Sequence, residues 1–142
     1  GHSVTEDMIR WEQRPAALAP DQEYDDALMA SDCTLVTLCS GVTGLCVPSK
    51  TYGYMMAGRP LMVVMEDSDI ARDAADGAGV RIRNDDGEAM ADAIRMMRDH
   101  PEKTAEMGRR SREIFLQKYT LPICTGKYID LFRLLLGQEG HS

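Results

Sequence analysis

The chain has 142 residues, 44% of them hydrophobic and 27% charged, and sixteen Lys and Arg against twenty-three Asp and Glu leave a net charge of −7. That length suits a single domain with a substantial core, and that composition excludes a disordered or fibrous chain. The acidic balance makes nucleic acid a poor partner, because phosphate neutralisation needs clustered cations. No apolar run approaches the ~18 residues of a membrane helix, and nothing reads as a secretion signal, so a cytoplasmic protein is expected. Cys33, Cys39, Cys46 and Cys124 form no C-x-x-C pair, and two of the three histidines, His2 and His141, stand at the ends. No zinc or other metal site is expected, and unpaired thiols suit a reducing compartment.

In chain order, Met8–Gln13 reads as a half-exposed strand and Asp21–Ala30 as a short acidic helix that Asp21 can cap. Thr34–Leu38 reads as a buried strand, followed by a loop over Cys39–Pro48 and a helix over Ser49–Ala57 that Gly58 and Pro60 close. Leu61–Met65 is five apolar residues without alternation, the mark of a strand covered on both faces of a parallel sheet. A helix over Asp69–Asp76 ends at Gly77 and Gly79, and Val80–Arg83 alternates like an edge strand with its arginines outward. Asp86 can cap a helix over Gly87–Asp99 that turns Met90, Ala93, Ile94 and Met97 to one face, and Pro101 breaks it. Helices over Glu102–Tyr119 and Pro122–Leu136 follow, the last with Cys124, Tyr128, Leu131, Phe132 and Leu135 as a core-facing stripe. Strands alternating with helices predict one α/β domain: a doubly wound, Rossmann-like parallel sheet of about four strands with C-terminal helices.

Ligands of such sheets bind beyond the carboxyl ends of the strands. There the sequence places Cys39-Ser40-Gly41-Val42-Thr43-Gly44 and, a few residues on, Ser49-Lys50-Thr51. Glycines let backbone N–H groups approach an anion, Lys50 adds a full charge, and Ser40, Thr43, Ser49 and Thr51 add hydroxyls. A phosphate or diphosphate is the expected guest, although the segment is neither a P-loop nor G-x-G-x-x-G, and Ser49 as a plain helix cap is the simpler alternative. Glu66 and Asp67 at the end of Leu61–Met65 form a carboxylate pair that could bind a metal or contact a sugar hydroxyl, a solvated turn being the simpler alternative, and Asp67 and Ser68 are the secondary site candidates together with Gly53. The cluster Arg109-Arg110-Arg112 reads as a salt-bridged solvent face rather than a membrane patch, and the methionines as core filling.

The block Val47-Pro48-Ser49-Lys50-Thr51-Tyr52-Gly53, continuing through Ala57-Gly58-Arg59-Pro60, resembles the C-terminal domain of group 1 (glycogen-synthase-like, retaining) glycosyltransferases of the GT-B fold. Leu28–Asp32, Ser68–Ala71, Gly77–Gly79, Asp85–Met90 and Met107–Arg112 extend the resemblance from about Leu28 to Tyr119. It implies a donor-binding domain that holds a nucleotide diphosphate sugar, with no other cofactor, for transfer to a polysaccharide or glycolipid. It also implies a cytoplasmic enzyme with access to the inner face of the membrane. Two departures stand out. Many members carry a pair of glutamates eight positions apart, the second reaching the ribose; here those positions are Leu45 and Gly53. The strand–helix units and the N-terminal acceptor domain that precede this region in the family have no counterpart here. The chain is therefore expected to be inactive alone, with an open sheet edge at Met8–Gln13 available for self-association. The alternative is a non-catalytic, flavodoxin-like phosphate- or nucleotide-binding module.

Overall fold

The structure, a computed structural model, describes residues 2–5, 11–14 and 21–137. The chain divides into two compact units, Gly1–Ser31 and Asp32–Ser142. In the first, β1 (His2–Thr5) and β2 (Trp11–Arg14) pair antiparallel, His2 opposite Arg14 and Thr5 opposite Trp11, and α1 (Asp21–Ala30) follows. The strand expected at Met8–Gln13 is thus seen at Trp11–Arg14, while Met8, Ile9 and Arg10 lie outside the described residues. It joins a hairpin instead of the parallel sheet. Its partner escaped notice because the segment His2–Thr5 has one large apolar residue, Val4, and hence no period to detect.

The second unit is built on β3 (Thr34–Thr37), β4 (Leu61–Val64) and β5 (Gly79–Ile82), parallel and in that spatial order. Thr34 stands opposite Leu61, and Leu61 opposite Gly79. The sheet therefore has three strands rather than about four, with the unbroken apolar run at its centre. α2 (Lys50–Met56) joins β3 to β4; α3 (Asp69–Asp73), continued by a kinked turn over Ala74–Ala78 in which Asp76 and Gly77 leave helical geometry, joins β4 to β5. α4 (Gly87–Asp99), α5 (Pro101–Lys118) and α6 (Leu121–Leu135) complete the Rossmann-like α/β arrangement.

β4 explains why a continuous apolar run was needed. Leu61, Val63 and Met65 enter a core shared with Met55 of α2, Ile70 and Ala71 of α3, and Ile114 of α5. Met62 and Val64 enter a second core with Ile82 and with Ala93 and Met97 of α4. Successive side chains of a strand point to opposite faces, so helices cover both. β5 is an edge strand whose Arg81 side chain is exposed, as expected.

Local signals set the helix starts. Ser68 Oγ accepts from the Ala71 N–H at 3.1 Å, and Asp86 Oδ1 accepts from the Ala89 N–H at 2.9 Å. Two glycines set close approaches. A Cβ on Gly79 would stand 1.8 Å from the Leu61 carbonyl oxygen, and one on Gly108 would stand 2.4 Å from that of Gly58. The arginines of α5 are occupied: Arg109 pairs with Glu106, Arg110 with Asp76 and Glu113, and Arg112 donates to the Met56 carbonyl. This is the salt-bridged face the sequence suggested, and it also fastens α5 to the turns after α2 and α3.

Several side chains assigned to the core lie outside it. Ile94 is half exposed, as is Met56. The stripe on α6 faces solvent: Tyr128, Leu131, Phe132 and Leu135 are 47–70% exposed, and no residue of α6 is buried. Helical spacing establishes that a face is apolar, but covering it takes a neighbouring element, and no described element covers this one.

Candidate functional site

The carboxyl ends of β3 and β4 open onto a cavity of about 290 Å³. One wall is the loop after β3, through Thr43, Gly44 and Pro48; α2 contributes Tyr52; the other wall is the turn into α3, with Asp67, Asp69 and Arg72. The loop closes on itself: the Val42 carbonyl accepts from the N–H groups of Leu45 at 3.0 Å and Cys46 at 3.2 Å. Gly44 makes this turn at φ +89°, where a side chain would be strained. The Gly41 N–H donates to Glu66 Oε1 at 3.3 Å, tying the loop to the end of β4.

The predicted residues do not converge on one surface. Thr43 and Gly44 line the 290 Å³ cavity, whereas Ser49, Lys50 and Thr51 line a second depression of about 440 Å³ between α2 and β3. Ser40 faces a third, of about 520 Å³, across the ends of all three strands. Ser49 is in helical conformation and makes no side-chain cap bond. Near the start of α2, the Thr51 N–H already donates to Pro48 O at 3.0 Å and the Tyr52 N–H to Ser49 O at 3.3 Å. Thr43 Oγ1 and Thr51 Oγ1 are buried without a hydrogen-bond partner. A Cβ on Gly53 would meet nothing within 4 Å, so packing does not demand the glycine there.

Asp67 and Ser68, the secondary candidates, do line the cavity. Asp67 accepts from Arg72 at 2.9 Å and from Arg81 at 3.1 Å, and these guanidinium hydrogen bonds hold its carboxyl below the usual carboxylate range. Arg72 also donates to Asp69 at 2.8 Å. The cavity wall thus carries two carboxylates around one guanidinium and has no surplus positive charge for a bare phosphate. Ser68 spends its hydroxyl as the α3 cap and as a donor to Met65 Sδ at 3.1 Å. Among the described residues, no cluster of His, Cys, Asp and Glu could hold a metal ion.

The sequence reading missed what holds Tyr52. Its ring lies 4.9 Å from that of Tyr119 at 51°. Tyr119 Oη donates to Asp73 Oδ2 at 2.5 Å, and Lys118 Nζ donates to Asp73 Oδ1 at 2.5 Å. Asp73 is 2% exposed. A carboxylate in an otherwise apolar helix face was the available signal. Burial, then the hydrogen bond to Asp73, push the Tyr119 phenol far above its ordinary value, and burial raises Tyr52 as well. Raised phenol values mean that the folded state resists losing these protons. The associated stability is present below the ordinary tyrosine pKa of ~10 and drains away as pH rises beyond it. Urea unfolding is therefore expected to show stability falling above pH ~10, and Tyr119→Phe should flatten that fall. An equal fall in the variant would refute the assignment.

These features define a class of protein: an α/β domain with a ligand-sized cleft at the carboxyl ends of a parallel sheet. The chain is distantly homologous to part of a glycosyltransferase. It is 33% identical over 122 residues to a protein described as a probable glycosyltransferase, WbjE of Pseudomonas aeruginosa, and the match covers 84% of this chain and 30% of that protein. The chain thus spans about a third of its curated relative. No protein-family profile matches it, and no solved structure matches it. Among the described residues, no helix is long and apolar enough to cross a membrane.

Proposed function

We propose that this chain is the donor-binding part of a two-domain, retaining glycosyltransferase of the GT-B type. The complete enzyme would transfer a sugar from a nucleotide diphosphate sugar to a polysaccharide or glycolipid. The observation that carries this reading is the extent of the match: covering 84% of the chain, it takes in the whole cleft segment, residues 40–72. The cleft supports it, being concave, partly apolar and at the end of the sheet where nucleotides bind in doubly wound folds. The diphosphate would cross the crest of the loop. Gly41 and Gly44 keep the backbone low, the exposed Ser40 and Ser49 present hydroxyls, and Lys50 supplies the charge, while the hydroxyls of Thr43 and Thr51 are buried. With Gly53 in place of a carboxylate, the ribose is held by another group or less tightly.

The test is an amide-resolved NMR titration of the chain with UDP and GDP. The signals of Gly44, Ser49 and Lys50 should move first. Lys50→Ala should weaken binding by about 1.5–3 kcal/mol, the worth of a charge-assisted hydrogen bond. Movement confined to the surroundings of Asp86 or Arg112 would refute the placement. Binding of free nucleotides with no preference for any sugar-bearing form would favour a non-catalytic nucleotide module.

A further inference from the structure

We infer that the 290 Å³ cavity is a pyranose subsite in which Tyr52 is the platform for the sugar ring and Asp67 and Asp69 receive its hydroxyls, with Tyr119 and Asp73 as positioning residues for Tyr52. This rests on the donor reading and names which part of the donor lies where.

Four observations converge. The first is size. Pockets for drug-sized ligands run from about 300 to 1,000 Å³, so about 290 Å³ accommodates one ring and not a nucleoside diphosphate as well. The second is polarity. The charged groups on the wall are Asp67, Asp69 and Arg72, with the guanidinium already shared between the two carboxylates. A carboxylate oxygen retains lone pairs after accepting one bond, and sugar hydroxyls are donors that fit them. A phosphate would meet repulsion, and a nucleobase would ask for donors and acceptors in one plane.

The third observation is the apolar side. Tyr52 enters with Pro48 and Ile70 beside it, a surface suited to the C–H face of a pyranose. The fourth is rigidity. Tyr52 stands on a helix of seven residues, yet its ring abuts Tyr119, and the Tyr119 hydroxyl is fixed by buried Asp73, itself held by Lys118. A ring placed before the ligand arrives loses less freedom on binding. The Tyr119 ring, anchored through its hydroxyl to a buried carboxylate that has two partners, forms the clamp.

The test uses ring-labelled tyrosine in the full chain, which has five tyrosines, so the Tyr52 signal can be assigned through Tyr52→Phe. A panel of methyl pyranosides, then UDP and GDP, then the corresponding nucleotide sugars are titrated in turn. The Tyr52 ring signal should move with at least one pyranoside and with the nucleotide sugar that carries it, and should stay in place with UDP or GDP alone. Tyr52→Ala should weaken the matching pyranoside at least about tenfold, and Tyr52→Phe should bind within about twofold of the parent. Tyr119→Leu should weaken the pyranoside about threefold while leaving UDP and GDP affinity unchanged, and Tyr119→Phe, which keeps the ring but loses the bond to Asp73, should recover only part of the loss. A variant that weakens all ligands alike would show a merely structural role and overturn the positioning.

The outcomes separate the two readings. If nucleotide sugars move the Gly44 and Lys50 amides while the Tyr52 ring is indifferent, the subsite is wrong and the donor reading stands. If pyranosides move Tyr52 but no nucleotide moves any signal, the subsite stands and the donor reading falls. If neither moves anything, both are overturned. Should Tyr52→Ala fail to fold, the ring signal of the unaltered chain decides.

Discussion

Gly79→Ala is expected to be the most damaging single-methyl change in this domain. β5 lies against β4 in register, Leu61 opposite Gly79, and a Cβ there would stand 1.8 Å from the Leu61 carbonyl oxygen and 2.7 Å from its amide nitrogen. The obstacle is backbone, not the movable end of a side chain, so β5 must leave β4 or the sheet must open. Leu61 is fully buried in the core beneath. Overpacking typically costs about 1–3 kcal/mol, and an obstruction by backbone belongs at or beyond the top of that range. Domains of this size have about 5–15 kcal/mol in all. A loss of about 3 kcal/mol corresponds to a fall in Tm of roughly 10 °C. Thermal and urea unfolding followed by far-UV circular dichroism would measure it. Gly53→Ala is the control: its Cβ meets open space in a helix interior, and the change should stabilise by up to about 1 kcal/mol. Parent-like stability of Gly79→Ala would mean that β4 and β5 do not pair in this register.

The second large effect concerns turnover. Incubated with a panel of UDP- and GDP-sugars and candidate acceptors, the 142-residue chain is expected to transfer no sugar. It spans 30% of its glycosyltransferase relative, and in the proposed enzyme the reaction takes place in a cleft between two domains. Holding donor and acceptor in reacting geometry is worth about 7–11 kcal/mol when fully realised. Lys50, at the start of α2, opens onto the neighbouring depression and not onto the cleft, while Arg72 in the cleft is occupied by Asp67 and Asp69. Charge developing on a departing diphosphate would find little stabilisation, and losing even one preorganised donor commonly costs orders of magnitude in rate. Donor binding is expected near millimolar, about −4 kcal/mol. Robust turnover would show that the chemistry needs no second domain.

The central features of the fold were legible because they depend on local pattern. Leu61–Met65 announced a strand covered on both faces, and Asp86 caps α4 as expected. What escaped were properties that only a neighbour decides. The apolar face of α6 has helical spacing but no covering element, so it is exposed. The β1–β2 hairpin pairs a strand of weak pattern with one whose partner could not be inferred. At the site, the loop and its glycines could be placed from sequence, but the side to which each residue turns could not. Thr43 and Lys50, seven positions apart, open onto different depressions. The clamp on Tyr52 joins residues from α2, α3 and the end of α5, a juxtaposition with no signature along the chain.

The double-sided burial of β4 has a consequence for how the domain comes apart. Because Leu61, Val63 and Met65 serve one core while Met62 and Val64 serve the other, neither layer of helices can be shed without uncovering the strand they share. Openings that expose β4 have no smaller unit to stop at, so its amides should exchange only through events approaching global unfolding. α6, with no buried residue to lose, can fray on its own. The cleft lies between these extremes. Its floor is anchored to the slowest-opening strand, and its wall at Thr43 and Gly44 belongs to a loop that the bond from the Gly41 N–H to Glu66 ties to the end of that strand.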